Sequence, residues 1–320
     1  MHDRDATPTV TVVICVHNGE KFLADTLDSA LTQSYRAFEI VVVDDGSADG
    51  SHAVLDRYSD PRLRVIRQDN RGAASALTAG IEAAVGELIA PLDQDDIWET
   101  DSLASHVASM QRRPEVALSF SWFRVIDEAG RPMGIRSSRY RGTIDFPELL
   151  RDFVIGATSN VVIRRSAIDL AGGVDASLPR LYDLDLFLRI ALLQPGNVLA
   201  IERDLMRYRR HPGQNSRNLE AVKLEWSRTL EKLRGLAPRA VAQVEEQARS
   251  NMSRYFARLA FEDAKYADGL SLLFEGFRFA PAPFITDPRN WLTAIACLSG
   301  MLLHPRLHRR LEKLAGLRLS

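Results

Sequence analysis

Short apolar runs alternate with helical patterns through the first half of the chain. Candidate strands are Thr9–Val16, Phe38–Val43, Leu63–Arg67 and Glu87–Leu92. They are nearly continuous in hydrophobic residues, as strands covered on both faces are. The stretches near 20–32, 50–58, 72–85 and 99–112 between them carry helical periodicity, which predicts βαβ units on a mostly parallel sheet. After Pro114 the rhythm changes. Val116–Ile126 reads as a longer strand, and Asp127-Glu128-Ala129-Gly130 reads as a turn. Short helices at 145–171 and 183–193 surround another strand, Ser159–Ile163, and Asn197–Arg210 gives a strand running into a basic loop. From Leu219 onward Leu224, Leu230, Leu233, Val241, Val244, Met252, Phe256 and Leu259 recur at amphipathic-helix spacing. The pattern predicts a domain over 1–218 and a helical region over 219–320.

Composition changes this picture only by exclusion. In 320 residues, 46% hydrophobic and 26% charged, the profile is that of a globular protein. A formal net charge of −1 gives no footprint for nucleic acid. Cys15 and Cys297 lie at opposite ends of the chain. They build neither a disulfide framework nor a thiolate zinc site, which fits a reducing, cytoplasmic setting. The charged start Met1–Asp5 has no apolar run behind it, so no secretory signal is expected. Trp291–Leu303 is the most membrane-like stretch, but its thirteen residues are too few to span about 30 Å of hydrocarbon.

Three acidic groups carry the candidate chemistry. Asp44-Asp45-Gly46-Ser47 follows the apolar run Ile40–Val43. That is where open α/β sheets hold their ligands, and a carboxylate there can accept hydrogen bonds from a base or a ribose. The competing reading is a solvated turn. Asp93-Gln94-Asp95-Asp96 follows the strand ending at Leu92. Asp93 and Asp95 can direct oxygens to one hard cation, Mg²⁺ or Mn²⁺, which is typically shared with substrate phosphates. The competing reading makes Asp96 a helix N-cap before Ile97-Trp98. Asp183-Leu184-Asp185 opens a helical run, as caps do, yet either carboxylate could take a proton from an attacking hydroxyl.

Taken in order, these segments resemble the inverting glycosyltransferases of family 2, which share the GT-A fold. The resemblance runs from Val12–Glu20 through Ile40–Ser51, Asn70-Arg71-Gly72, Ala79-Gly80-Ile81 and Leu92–Trp98. It continues through Ser159–Arg165, Gly172–Asp175 and Asp185–Arg189 to Tyr208–Ser216, about two thirds of the chain. It implies an α/β fold of GT-A type, Rossmann-like, with a mostly parallel sheet flanked by helices and an α-helical C-terminal extension. By resemblance, Val16, Asn18 and Glu20 line a nucleotide pocket, and Asp44 or Asp45 holds the base or ribose. Asp93 and Asp95 form the metal and diphosphate motif, with Asp95 the direct ligand, and Asp183 is the catalytic base. His211 reaches the metal or the diphosphate, with Arg209 and Arg210 adding positive charge. The implied donor is a UDP-, GDP- or dTDP-sugar, the cofactor a divalent cation, and the acceptor a glycan or lipid-linked sugar. The implied setting is cell-surface polysaccharide or glycolipid synthesis at the cytoplasmic face of a membrane.

The chain departs from the family pattern in several places. Cys15 and His17 replace a frequent Pro and Tyr, Leu77-Thr78 replaces Arg-Asn, and Tyr182-Asp183 stands where Glu-Asp is usual. The last change leaves Asp183 and Asp185 as rival bases, and it supports an alternative reading as a non-catalytic nucleotide-sugar-binding scaffold. A dinucleotide enzyme is disfavoured because no Gly-x-Gly-x-x-Gly follows the first strand, and no P-loop motif occurs. A sugar nucleotidyltransferase lacks its Gly-rich, Arg-containing loop here, and a receiver domain would carry its Asp pair after the first strand. Trp122, Phe123 and Tyr140 are candidates to stack on sugar rings or to fill the core. In the helical region, Trp291–Leu303 is followed by His304, Arg306, His308, Arg309, Arg310 and Lys313, a pairing suited either to an anionic membrane interface or to a tail helix packed on the catalytic domain with its charged end in water.

Overall fold

The computed structural model describes residues 9–214 and 218–302. Its strands are β1 (Val10–Val16), β2 (Phe38–Asp45), β3 (Leu63–Gln68), β4 (Leu88–Asp93), β5 (Ile97–Trp98), β6 (Leu118–Ile126), β7 (Pro132–Arg136), β8 (Thr143–Ile144), β9 (Val161–Arg164) and β10 (Val198–Arg209). Among the described residues these form one sheet in the order β3-β2-β1-β4-β9-β6-β10-β5, with β7 on β6 and β8 on β10. β3, β2, β1 and β4 are parallel to one another, β9 runs against both β4 and β6, and β10 parallels β6. The apolar runs of β1 and β2 are sealed from solvent along nearly their whole length. Edge strand β3 is half exposed.

Helices α1 (Leu23–Leu31), α2 (Ser51–Leu55), α3 (Ala73–Ala83), α4 (Ser102–Arg112), α6 (Arg165–Leu170) and α7 (Tyr182–Leu193) belong to this first unit. Close approach of α3 to the sheet depends on Gly80, where a Cβ would lie 2.2 Å from Val13 Cγ1.

The second unit comprises residues 133–135, 146–153 and 210 onward. It holds α5 (Phe146–Asp152) with α8 (Leu219–Leu236), α9 (Pro238–Glu262), α10 (Tyr266–Phe279), α11 (Pro281–Thr286) and α12 (Pro288–Leu302). Asn251 Nδ2 on α9 donates to Arg151 O at 2.7 Å, and Phe153 meets Trp226 edge-on at 5.2 Å. These contacts tie α5 to the helical unit, so a single cut near 218 does not describe the division. No helix among the described residues is long and apolar enough to cross a membrane. The N-terminal residues Met1–Asp5, Asn215, Ser216 and the basic run His304–Lys313 lie outside the described residues.

Several local expectations are corrected. Asp96 does not cap a helix. Ile97 and Trp98 pair with Arg207 and Met206 of β10, and α4 begins only at Ser102. Asp44, Asp45 and Asp93 are strand residues, because β2 extends through Asp45 and β4 through Asp93, while Asp95 and Asp96 lie in the turn beyond β4.

Candidate functional site

The chain winds from β1 outward to β2 and β3, then returns to place β4 on the other side of β1. Strand order therefore reverses between β1 and β4, and their carboxyl ends frame the crevice where open sheets bind ligands. Val16, buried at the end of β1, lies in register with Asp44 of β2.

The loop after β1 is laced to the loop after β2. Asn18 adopts a left-handed conformation at φ 51°. Its N–H donates to Ser47 Oγ at 3.0 Å, and its Oδ1 accepts the Ala48 N–H at 2.8 Å. Gly19 N–H donates to Ser51 Oγ at 2.8 Å, and Glu20 Oε2 accepts the Gly50 N–H at 3.0 Å. Asn18 and Glu20 thus shape the crevice wall by holding main chain.

Asp44 and Asp45 are not a solvated turn. Both are buried. Asp44 Oδ1 accepts the Ser47 N–H at 3.0 Å, while Oδ2 sits 2.5 Å from His52 Nε2. Asp45 accepts from Gln68 Nε2 at 2.7 Å and from the N–H groups of Arg71 and Gly72 at 2.8 and 2.7 Å. Gly46 makes the turn beyond them at φ 71°. Asp45 thereby holds the passage from β3 into α3, and Asp44 the turn from β2 into α2.

The acidic loop after β4 is fixed from three sides. Gln94 exchanges two hydrogen bonds with His17, accepting its N–H at 2.9 Å and donating to its carbonyl at 3.1 Å. Sequence reading assigned no role to Gln94, and to His17 only a departure from the family residue. Their signal was the variable position inside the Asp-x-Asp spacing. Ser159 Oγ accepts the Asp93 N–H at 3.0 Å, and Ser159 O accepts Trp98 Nε1 at 2.6 Å. Asp96 is buried, and its Oδ1 accepts the Arg209 N–H at 2.9 Å.

Asp93 and Asp95 are half-buried at the mouth of the crevice. Burial, then the charges of Asp95 and Asp183, push the Asp93 carboxyl up to about 7. Burial and the same crowding hold Asp96 well above the usual carboxylate range. The Cys15 thiol and the Tyr182 phenol are pushed up too, first by burial and then by neighbouring acids that include Asp93. Acidic groups that oppose one another's ionisation are thus gathered at one end of β1 and β4.

Asp183 and Asp185 are sorted by their surroundings. Asp185 is fully buried and paired with Arg189 at 2.7 Å. Asp183 is half-buried, accepts Thr158 Oγ1 at 2.9 Å and lies close enough to Asp93 to raise its pKa.

The basic residues at the end of β10 correct the expectation of a phosphate clamp. Arg209 is buried, with Nε donating to Asp95 O at 2.8 Å, Nη1 to Glu128 O at 3.0 Å and Nη2 to Asp25 Oδ2 at 2.8 Å. Its guanidinium also lies 4.8 Å from the Phe22 ring centroid. Those donors hold the acidic loop, and the buried charge is compensated there. Arg210, in the second unit, pairs with Glu262. His211, also in that unit, accepts the Gly213 N–H at Nδ1 at 3.2 Å. Trp122 and Phe123 are buried, and Trp122 Nε1 donates to Tyr140 O at 2.8 Å, so these two rings belong to the core.

Among the described residues no three of His, Cys, Asp and Glu converge as a ready-made metal cage. The donor set still fits a hard divalent cation. Asp93 and Asp95 offer carboxylate oxygens on either side of Gln94, and Mg²⁺ is usually held by one or two carboxylates completed by substrate phosphates.

A reversed strand order with carboxylates at the carboxyl ends of β1 and β4 defines an open α/β protein whose candidate ligand crevice lies there. The chain belongs to glycosyl transferase family 2, whose model matches residues 11–170. It is 31% identical over 160 residues to TuaG of Bacillus subtilis (strain 168), assigned to teichuronic acid biosynthesis. That match covers 49% of this chain and 63% of TuaG, so the chain spans just under two thirds of that relative. An uncharacterized glycosyltransferase of Rickettsia typhi, RT0329, is 27% identical over 243 residues, covering 73% of this chain and 75% of its own. The fold is that of Staphylococcus aureus TarS 1–349, solved with UDP-GlcNAc (TM-score 0.64, 15% identity, 97% of this chain and 90% of that one). It is also similar to the Pyrobaculum calidifontis mannosyltransferase PcManGT, solved with GDP-Man and Mn²⁺ (TM-score 0.54, 19% identity, 97% and 88%).

Proposed function

We propose that this glycosyltransferase moves a sugar from a nucleoside-diphosphate donor to an acceptor hydroxyl with inversion at the anomeric carbon. The observation that carries the reading is that Asp93, at the end of β4, lies within electrostatic reach of both Asp95 and Asp183, the latter, at the start of α7, held by Thr158. TarS bound to UDP-GlcNAc and PcManGT bound to GDP-Man with Mn²⁺ support the donor class and the cation.

In this reading the nucleoside lies against the stitched loops of Asn18 and Glu20, over the edge organised by Asp44 and Asp45. Asp93 and Asp95 hold a divalent cation, with Asp95 the direct ligand. The chemistry such an ion supplies is neutralisation of charge on the departing diphosphate. Asp183 accepts the proton of the acceptor hydroxyl. The hydroxyl oxygen bonds to the anomeric carbon as the bond to the diphosphate oxygen breaks. The buried pairing of Asp185 with Arg189 favours Asp183 over it for that task. Thr158 orients Asp183 through its hydroxyl. The acceptor class that fits best is a glycan or lipid-linked sugar of the cell surface, the setting that the assignment of TuaG supports. Cys15 and Cys297 are both unpaired, as a reducing cytoplasmic compartment leaves them.

The test is single-turnover transfer from a panel of UDP-, GDP- and dTDP-sugars to extracted lipid-linked glycan, for the wild type and Asp183→Asn. The account expects one donor to react, and Asp183→Asn to bind that donor's nucleotide normally without transferring. Wild-type transfer retained by Asp183→Asn would remove Asp183 as the base. Nucleotide binding without transfer in the wild type would favour the scaffold reading.

A further inference from the structure

Helix α12 is inside out. From Trp291 to Leu302 every exposed residue is large and apolar: Trp291, Leu292, Ile295, Leu298, Met301 and Leu302, each 44–77% exposed. The residues it buries are small or polar, namely Asn290, Thr293, Ala296, Cys297 and Ser299. Water as the only neighbour selects the opposite arrangement.

The packing explains how both faces coexist. Thr293 Oγ1 donates to Arg289 O at 2.8 Å, Ser299 Oγ to Ala296 O at 2.8 Å, and Asn290 Nδ2 to Phe284 O at 2.9 Å. The buried polar groups are thereby satisfied locally. Small inward side chains let α12 sit close to its neighbours, and Gly269 of α10 has room for no Cβ against Cys297 Sγ, which would lie 2.8 Å away. With about 100° of turn per residue, Trp291, Ile295, Leu298 and Leu302 fall within roughly 60° of arc, a stripe and not a scatter. Trp291 is fixed at its head, with Nε1 donating to Ile285 O at 2.8 Å, and Ile285 is itself exposed. An apolar surface this continuous marks a site of association.

The charge of the sequence that follows selects the occupant. Residues 304–313 contain Arg306, Arg309, Arg310 and Lys313 against the single acid Glu312, in a chain whose net charge is −1. Pairing two copies of the face would gather two copies of that charge at one interface. An anionic bilayer instead accepts the apolar stripe among its acyl chains and attracts the basic residues at its surface.

We propose that the outward face of α12 docks the protein in the plane of a membrane containing anionic lipid, with the stripe Trp291-Ile295-Leu298-Leu302 as the inserted edge. The helix lies on the bilayer and does not cross it. This surface lies in the second unit, and the inference stands independently of the reaction proposed above.

The experiment is co-sedimentation of the full chain with phosphatidylcholine vesicles, with and without phosphatidylglycerol, at low and high salt. The expected result is binding to the mixed vesicles that weakens with salt. The double variant Ile295→Glu/Leu298→Glu should lower partitioning at least about tenfold, since each side chain loses its favourable burial. Both positions are exposed, so circular dichroism and nucleotide binding should match the wild type. Arg309→Glu/Arg310→Glu should remove the preference for anionic vesicles. Three outcomes overturn the proposal. They are partitioning unchanged by the Ile295 and Leu298 substitutions, equal binding to neutral vesicles at any salt, and no binding to either vesicle. A dimer by light scattering that Ile295→Glu/Leu298→Glu dissolves, without vesicle binding, would assign the face to a second copy.

Discussion

Asp183 and Asp185 stand two residues apart on α7 in different surroundings, and the proposed base role falls to Asp183. Asp183→Asn should lower kcat by about 10²–10⁴-fold while nucleotide affinity is unchanged, because only proton transfer is removed. Asp185→Asn should instead cost roughly 3–5 kcal/mol of stability in urea unfolding, since it strands the buried Arg189 guanidinium. His106 gives a pH signature outside the crevice. It is buried against Ser119 Oγ at 2.8 Å, and burial lowers its pKa from 6.5 to about 3. Below pH 6.5 the unfolded chain binds a proton that the folded chain refuses. The His106 contribution to stability therefore falls as pH drops from 6.5 toward 3, by about 1.4 kcal/mol per unit, while Asp93, whose raised carboxyl keeps its proton in the folded chain, contributes with the opposite sign. His106→Asn should flatten that slope in urea titrations across the same range. At this scale the acidic clusters were legible in the sequence, but not what surrounds them. Asp44 and Asp45 resembled turn residues because their donors, Gln68, Arg71 and Gly72 among them, lie far along the chain. Arg209 resembled a phosphate ligand because nothing local shows its guanidinium spent on Asp95, Glu128 and Asp25.

The long apolar strands were legible as elements, since a run such as Ile40–Val43 admits few other fates in a sheet covered on both faces. The two-residue strands β5 and β8 were not. Each exists only through its ladder to β10, and two residues carry no periodicity. Asp96 was misread for the same reason, because the pairing of Ile97 and Trp98 delays the helix it was expected to cap. Packing of α3 on the sheet offers a test of this level. Gly80→Ala would press its methyl on Val13, which lies 2.2 Å from the ideal Cβ. Overpacking of about 1–3 kcal/mol should exceed the gain of about 1 kcal/mol in helix propensity, so the variant should melt lower. Adding Val13→Ala should recover part of the loss by opening the space, as a thermal melt of the double variant would read.

Across the molecule, the ordered series of segments from β1 through β10 made the family legible where no single motif was decisive. What the sequence could not give was the strand order, and with it the reversal between β1 and β4 that makes the carboxyl ends a crevice. The second unit carried no motif, and its inverted helix shows only once burial is known, because Trp291–Leu302 reads equally well as core. The central claim is that Asp93 and Asp95 bind a cation shared with a nucleoside diphosphate. Isothermal titration of the full chain with UDP, GDP and dTDP, each with and without Mn²⁺, tests it most directly. The account predicts that one nucleotide binds, that Mn²⁺ strengthens it at least about tenfold, and that Asp95→Ala abolishes the gain. Binding that ignores both the metal and the substitution, or no binding to any nucleotide by folded protein, would contradict it.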